Sequence, residues 1–291
     1  MAVSVNSVID RVQQVLQDTT GVRWPVTDEL VLWINDAQRE IALLKPDASA
    51  VNTTINLVAG TKQSIPADGN RLLKVVRNMS NLGAGLIGGR AVRLVDVAVL
   101  DTQTPDWHDP NVSGAAAHGS VVEHYVYDES NPRNFYVYPG ATVDDANTGT
   151  IDEAARLEII YSANPATVIA AESVTAWTDS ATYVENNKVS YANKVWTATD
   201  ESNNTNQTPS ASSDYWTEDT SANLAIPDIY ANAIMNYVLY MAYMKDAEFA
   251  GNQQRASSHY QLFSTSIAGK GQLDATTSPN MVRNSQAVVA G

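Results

Sequence analysis

Three groups of residues have types and spacings that could do chemistry. Gly83-Ala-Gly85-Leu-Ile-Gly88 spells GxGxxG, the spacing that brings backbone close to a pyrophosphate at a helix N-terminus. That site needs a strand before it and a long crossover helix after it. A strand-like run, Leu72-Leu-Lys-Val-Val-Arg77, precedes, but Gly89, Arg90 and a second strand-like run follow. A loop between strands is expected there. Asp106-Trp-His108-Asp109 offers three metal donors, yet prolines flank it and no fourth donor is implied. An Asx-type turn is the expectation. The other histidines, His118, His124 and His259, stand at no metal spacing. No GxSxG nucleophile elbow occurs. The chain has no cysteine, which excludes disulfides, thiolate metal sites and thiol nucleophiles. The third group is aromatic and speaks of surfaces: a tyrosine-rich run near residue 240 and a set of tryptophans between 177 and 216. No enzyme, cofactor or metal is expected.

The elements that position these residues follow from patterning. The chain has 291 residues, 44% hydrophobic, enough for a sizeable core. Its net charge of −14 argues against a protein that grips DNA phosphates or an anionic membrane. No apolar run reaches the roughly 18 residues of a membrane span, and the opening lacks a secretory signal's basic and apolar regions. A cytoplasmic product is expected. Val5, Val8, Ile9, Val12, Val15 and Leu16 recur at helical spacing. A second helix, capped by Thr27 and stopped by Pro46, carries Leu30, Trp33, Ile34, Ala37, Ile41 and Leu44. Alternating runs then predict strands at 51–57, 63–65, 72–77 and 157–161, with a hairpin from 121 to 138 turning at Ser130-Asn-Pro-Arg133.

Between residues 170 and 221 the composition shifts. Asn, Ser and Thr abound, Leu and Ile are scarce, and eight carboxylates face two lysines. The apolar content is aromatic: Trp177, Tyr183, Tyr191, Trp196, Tyr215 and Trp216. This reads as a small inserted β module. Two long helices close the pattern. Residues 229–245 are apolar on nearly every face, which marks a helix covered on all sides. A neighbouring subunit is one source of that cover and the chain's own core is the other. Tyr230, Tyr237, Tyr240, Tyr243 and Met244 are the interface candidates. The last helix is expected to end at Gly269 and Gly271, leaving 271–291 as an extended tail. The fold class is therefore α+β: a helical bundle with a β-rich middle, a core of 1–169 and 222–270, and an inserted module at 170–221.

Both ends of the chain are similar to a known family. Val8-Ile-Asp-Arg-Val, Gly21-Val-Arg-Trp-Pro-Val-Thr-Asp-Glu-Leu and Pro227-Asp-Ile-Tyr-Ala-Asn-Ala-Ile-Met-Asn-Tyr resemble the head-to-tail adaptor (connector) proteins of tailed phages. Arg90-Ala-Val-Arg-Leu-Val-Asp and Asn131-Pro-Arg-Asn-Phe-Tyr-Val-Tyr-Pro139 look similar too. The resemblance implies a structural virion protein of the neck or tail, assembled in the host cytoplasm. It implies a ring of identical subunits, usually a dodecamer, beneath the portal protein. DNA would pass through the channel without specific binding, and a downstream tail or nozzle protein would bind below. It also implies a carboxy-terminal segment that reaches the portal, here Gly271, Met281, Val282 and Arg283. No membrane contact is implied. The insertion resembles small chitin-binding carbohydrate modules through Trp177, Tyr183, Asn187-Lys-Val-Ser-Tyr191, Trp196 and Tyr215-Trp216. In such modules exposed aromatics stack on sugars, so Trp177, Trp196 and Trp216 are the candidates for glycan or protein contact. The simpler expectation is that all three fill a tiny core. A glycan-binding adhesin or a tail-fibre docking protein is the alternative function.

Overall fold

A computed structural model describes residues 3–81, 85–114, 117–142, 155–199 and 204–277. The residues divide into two compact units, one built from 1–45 with 165–291 and one from 46–164.

The first unit opens with α1 (Val5–Leu16), capped by the Ser4 hydroxyl, which accepts the Ser7 amide at 3.2 Å. Val5, Val8, Ile9 and Val12 form its fully buried stripe, at the spacing that patterning predicts. Gln17 ends the helix in the left-handed conformation. The Asp18 carboxylate then accepts the amides of Val22, Arg23 and Trp24 at 3.2, 2.9 and 3.0 Å. These bonds, led by Trp24, hold its carboxyl below the usual range and shape the connection. Thr27 does not cap the next helix. The chain turns in through a π turn, Val26–Leu30, straight into α2 (Val31–Leu44), and the Thr27 hydroxyl bonds only its neighbour Asp28.

The second unit is a pair of four-stranded sheets. Its strands are β1 (Ala50–Asn56), β2 (Gly60–Ser64), β3 (Gly69–Asn81), β4 (Leu86–Ala91), β5 (Arg93–Leu94), β6 (His124–Tyr127), β7 (Asn134–Ala141) and β8 (Arg156–Ala163), with a short helix α3 (Val97–Gln103) after β5. One sheet runs β1-β8-β3-β4 and the other β2-β7-β6-β5. Their inner faces share one core, which includes Leu72, Val75, Phe135, Val137, Leu157 and Ile159. The hairpin expected at 121–138 is β6–β7, with Tyr125 opposite Val137. Gly85 lies at the turn before β4, and Gly88 lies within β4, opposite Met79 of β3. This is a hairpin without the crossover helix a dinucleotide site requires; Gly83 lies outside the described residues.

The chain then re-enters the first unit, whose returning part begins with the small module. It holds β9 (Thr182–Tyr183), β10 (Lys188–Tyr191), β11 (Lys194–Ala198), β12 (Asn204–Thr205) and β13 (Trp216–Glu218). β10, β11 and β13 form an antiparallel sheet, while β9 pairs with β12. Asn186 and Asn193 take positive φ at the module's turns, a conformation asparagine tolerates better than most residues.

Two helices close the unit: α4 (Ala231–Lys245) and α5 (Asn252–Thr277). The expected end of α5 at Gly269 and Gly271 is wrong, because the helix runs on to Thr277. Each glycine costs a helix about 1 kcal/mol. Downstream, Asp274 is gripped by Lys270 one turn back and by Lys45, whose ammonium stands 3.0 Å from it at the end of α2. Those ion pairs anchor the last turns beyond the weak point. Beyond the adjoining backbone of its own helix, nothing among the described residues lies within 4 Å of where a Cβ on Gly269 would stand. Gly269→Ala should therefore raise the stability of the helix by about 0.5–1 kcal/mol, read as a higher thermal midpoint.

Candidate functional site

The tyrosine run lies on α4, which packs against α1, α2 and α5 of its own chain. Ile234, Val238, Leu239 and Ala242 are fully buried, and Tyr230 is buried at the helix start. Tyr237, Tyr240 and Tyr243 are half-buried along the seam with α5. Tyr237 meets the edge of Phe263 with ring centroids 5.2 Å apart, Tyr240 lies 5.0 Å from Tyr260, and Tyr243 stacks on His259 at 5.6 Å. Burial holds the His259 imidazole below its ordinary pKa, and its Nδ1 lies 2.9 Å from the Asn236 amide oxygen. Much of the apolar surface of α4 is thus covered within its own chain. Three helices from the same chain supply the cover, because α5, poor in aliphatic residues, meets α4 through aromatic rings. Of the five candidates, Tyr230 is buried, the other three tyrosines keep part of their surface open, and Met244 is the most exposed, at 44%.

Part of the apolar surface that does face outward lies on α2 and α5. On α2, Leu32 and Leu43 sit three turns apart on one face, and Leu43 is 75% exposed. On α5, Leu262 and Leu273 repeat that spacing, each more than half exposed. Leucines in such rows are uncommon on faces meant only for water.

The module is held by polar side chains that patterning gave no reason to single out. Its incoming strand-like segment and its outgoing one lie side by side, the Ile169 amide donating to the Ser221 carbonyl at 2.9 Å. Asn35 of α2, almost fully buried, donates to the Val168 carbonyl at 3.1 Å and accepts the Val168 amide at 2.8 Å. Asn6 of α1 accepts the Ala171 amide at 2.9 Å, and Gln38 of α2 accepts the Ala225 amide at 2.7 Å. Their one advance signal is position: each is a polar residue on the apolar stripe of its helix. Val195, Ala171 and Ala222 fill the space at the module's base.

Inside the module, Trp196 and Trp216 are only 4% and 3% exposed and pack with Tyr183 and Val189. Their indole N–H groups donate inward, to the carbonyls of Tyr191 at 3.2 Å and Gln207 at 2.8 Å. Neither offers a ring face, so both leave the set of contact candidates. They form the core because a module this small has few aliphatics to bury. Trp177 is half-buried, with its ring 5.4 Å from the half-exposed Tyr191. At the module's edge, burial pushes the Asp219 carboxyl up. The Lys188 ammonium 2.5 Å away and the Ser221 amide outweigh it and bring the pKa to about 2.

The earlier chemical candidates fall into structural roles. The Asp109 carboxylate accepts the Asn111 amide at 2.8 Å, an Asx turn. His108 Nδ1 bonds the Thr61 hydroxyl at 2.7 Å, and Trp107 beside it is buried. Gly271 lies within α5, and Met281, Val282 and Arg283 lie outside the described residues.

A helix bundle, leucine rows turned outward and a small β module held by buried polar side chains are the features of this unit that stand out. The chain belongs to the SU10 adaptor protein family, whose model matches residues 3–195 and 204–283. It is a structural adaptor protein of a bacteriophage and a component of the virion. The match includes most of the module. Among curated proteins none matches the chain. No helix among the described residues is long and apolar enough to cross a membrane.

Proposed function

We propose that this adaptor forms a closed ring, a dodecamer by its resemblance to connector proteins, which joins the portal to the tail and extends the DNA channel. The observation that carries the ring is the pair of leucine rows, on two different helices of one unit. Two unlike patches that fit each other generate a head-to-tail interface, which gives a ring where the rotation between neighbours closes. The net charge of −14 suits a wall past which DNA must slide rather than stick. The segment after α5, with Met281, Val282 and Arg283, reaches the portal or an adjacent subunit in this reading. The module serves as a docking point for a tail fibre or a glycan, with Tyr191 and the edge of Trp177 as its aromatic surface.

The test is electron microscopy of the protein mixed with its portal, viewed down the channel. Wild type should give closed rings on the portal. The double variant Leu43→Asp with Leu273→Asp should remain monomeric by mass photometry while keeping its circular dichroism. Absence of rings with wild type overturns the reading; rings with the double variant overturn the assignment of the leucine rows.

A further inference from the structure

The end of the helical unit where α1 hands over to the Asp18 turn, and α4 to α5, carries a cleft of about 460 Å³. Its walls include Gln17, Arg23, Trp24, Tyr243, Asn252 and Arg255. The Asp18 carboxylate shapes one wall by fixing the amides of Arg23 and Trp24. The Arg23 guanidinium lies between two rings, 4.9 Å from the centroid of Trp24 and 5.0 Å from that of Phe249, and pairs with Asp246. The neighbouring Lys245 is taken by Glu29. Arg255 is different. Its guanidinium stands 5.7 Å from the Tyr243 ring centroid and has no hydrogen-bond or ion-pair partner among the described residues. The Trp24 indole N–H, in a side chain nine-tenths buried, likewise meets no acceptor. Asp246 is taken by Arg23 and the Asp18 carboxylate by backbone amides, which leaves Arg255 as the one cation of the cleft without a paired carboxylate among the described residues. Beside it stand Val22, 82% exposed, and Phe249, 60% exposed.

We infer that this cleft is a docking site for an acidic, apolar-flanked segment of a partner protein. A carboxylate of the segment takes the free fork of Arg255, and an apolar neighbour covers Phe249 and Val22. Arginine presents a planar set of donors that a carboxylate meets with two bonds. Arg255 is held ready for this by Tyr243, which is itself stacked on His259. A protein fits better than DNA. The exposed Phe249 and Val22 offer nothing to a phosphate backbone, and a single unpaired arginine is far short of the clustered cations that a polyanion needs.

The probe is a blocked peptide, acetyl-Leu-Glu-Phe-Glu-Leu-amide, titrated into the full-length protein labelled with nitrogen-15. The readouts are the Arg255 Nε–H and Trp24 indole N–H resonances, assigned by comparison with Arg255→Lys and Trp24→Phe. Both should move and saturate. Arg255→Gln should weaken the half-saturation point about fivefold or more, the expected loss for one charge-assisted pair, whereas Arg71→Gln in the β unit should leave it unchanged. Three results would overturn the site: no saturable shift, equal binding by Arg255→Gln, or tighter binding of the same resonances by an oligothymidine of matched charge.

Discussion

Replacing Phe263 with alanine should lower the stability of the helical unit by about 3–5 kcal/mol, the range for deleting a buried phenylalanine. The reason lies in how little else holds α5. Its sequence is rich in Gln, Ser and Thr, and among the described side chains its fully or nearly buried apolar ones are Ala256, Phe263 and Ile267. Phe263 is the largest of them, with no exposure, and its ring meets Tyr237 and Tyr260. An alanine leaves a hole at the centre of an aromatic cluster that cannot collapse, because Tyr237 and Tyr240 are fixed on α4. Hydrogen exchange is the measurement of choice. Protection should fall along α5 and α4 while the amides of β10 and β11 keep theirs. A loss below about 1 kcal/mol would show that the ion pairs of Asp274, not Phe263, hold the helix down.

Asn35→Leu should cost about 3 kcal/mol, although it adds apolar surface to a helix stripe that is otherwise apolar. Asparagine at this position satisfies both backbone groups of Val168 and bonds the Val31 carbonyl at 3.0 Å on its own helix. Leucine leaves the Val168 N–H and C=O buried and unpaired, and each orphaned group costs about 1–3 kcal/mol. The local signature is fast amide exchange at Val168 and early proteolysis near residues 165–171, with α4 and α5 unaffected. Asn35→Asp should be milder in its effect on the Val168 amide, because it keeps the acceptor. Unchanged exchange at Val168 in the leucine variant would refute the role.

These two residues mark where the sequence is legible and where it is not. The buried stripe of α1 can be read from Val5, Val8, Ile9 and Val12 because a 3.6-residue period leaves few other arrangements. The β6–β7 hairpin is equally legible, from its alternation and from Asn131-Pro132 at the turn. Asn6, Asn35 and Gln38 are not, since a polar residue on a buried stripe acquires its purpose from a partner more than a hundred residues away. The α4 tyrosines show a second limit. Periodicity tells how much of a helix is apolar, and not whose side chains cover it. Gly269 and Gly271 show a third, since a glycine's helix penalty is small enough for two ion pairs downstream to overcome. In the module, counting aromatics against aliphatics was enough to expect Trp196 and Trp216 in its core.

The hydrogen bond from Ile169 to Ser221 brings together the two ends of a fifty-residue excursion. A chain that departs and comes back through adjoining residues makes little demand on what happens in between, since closing a longer loop adds only about 0.6 kcal/mol per doubling of its length. The clamp formed by Asn6, Asn35 and Gln38 grips the stem and none of the module's strands. The position therefore works as a socket: a different folded cassette with neighbouring termini could be grafted between Ala171 and Ser221, with every partner of the clamp on the helices kept.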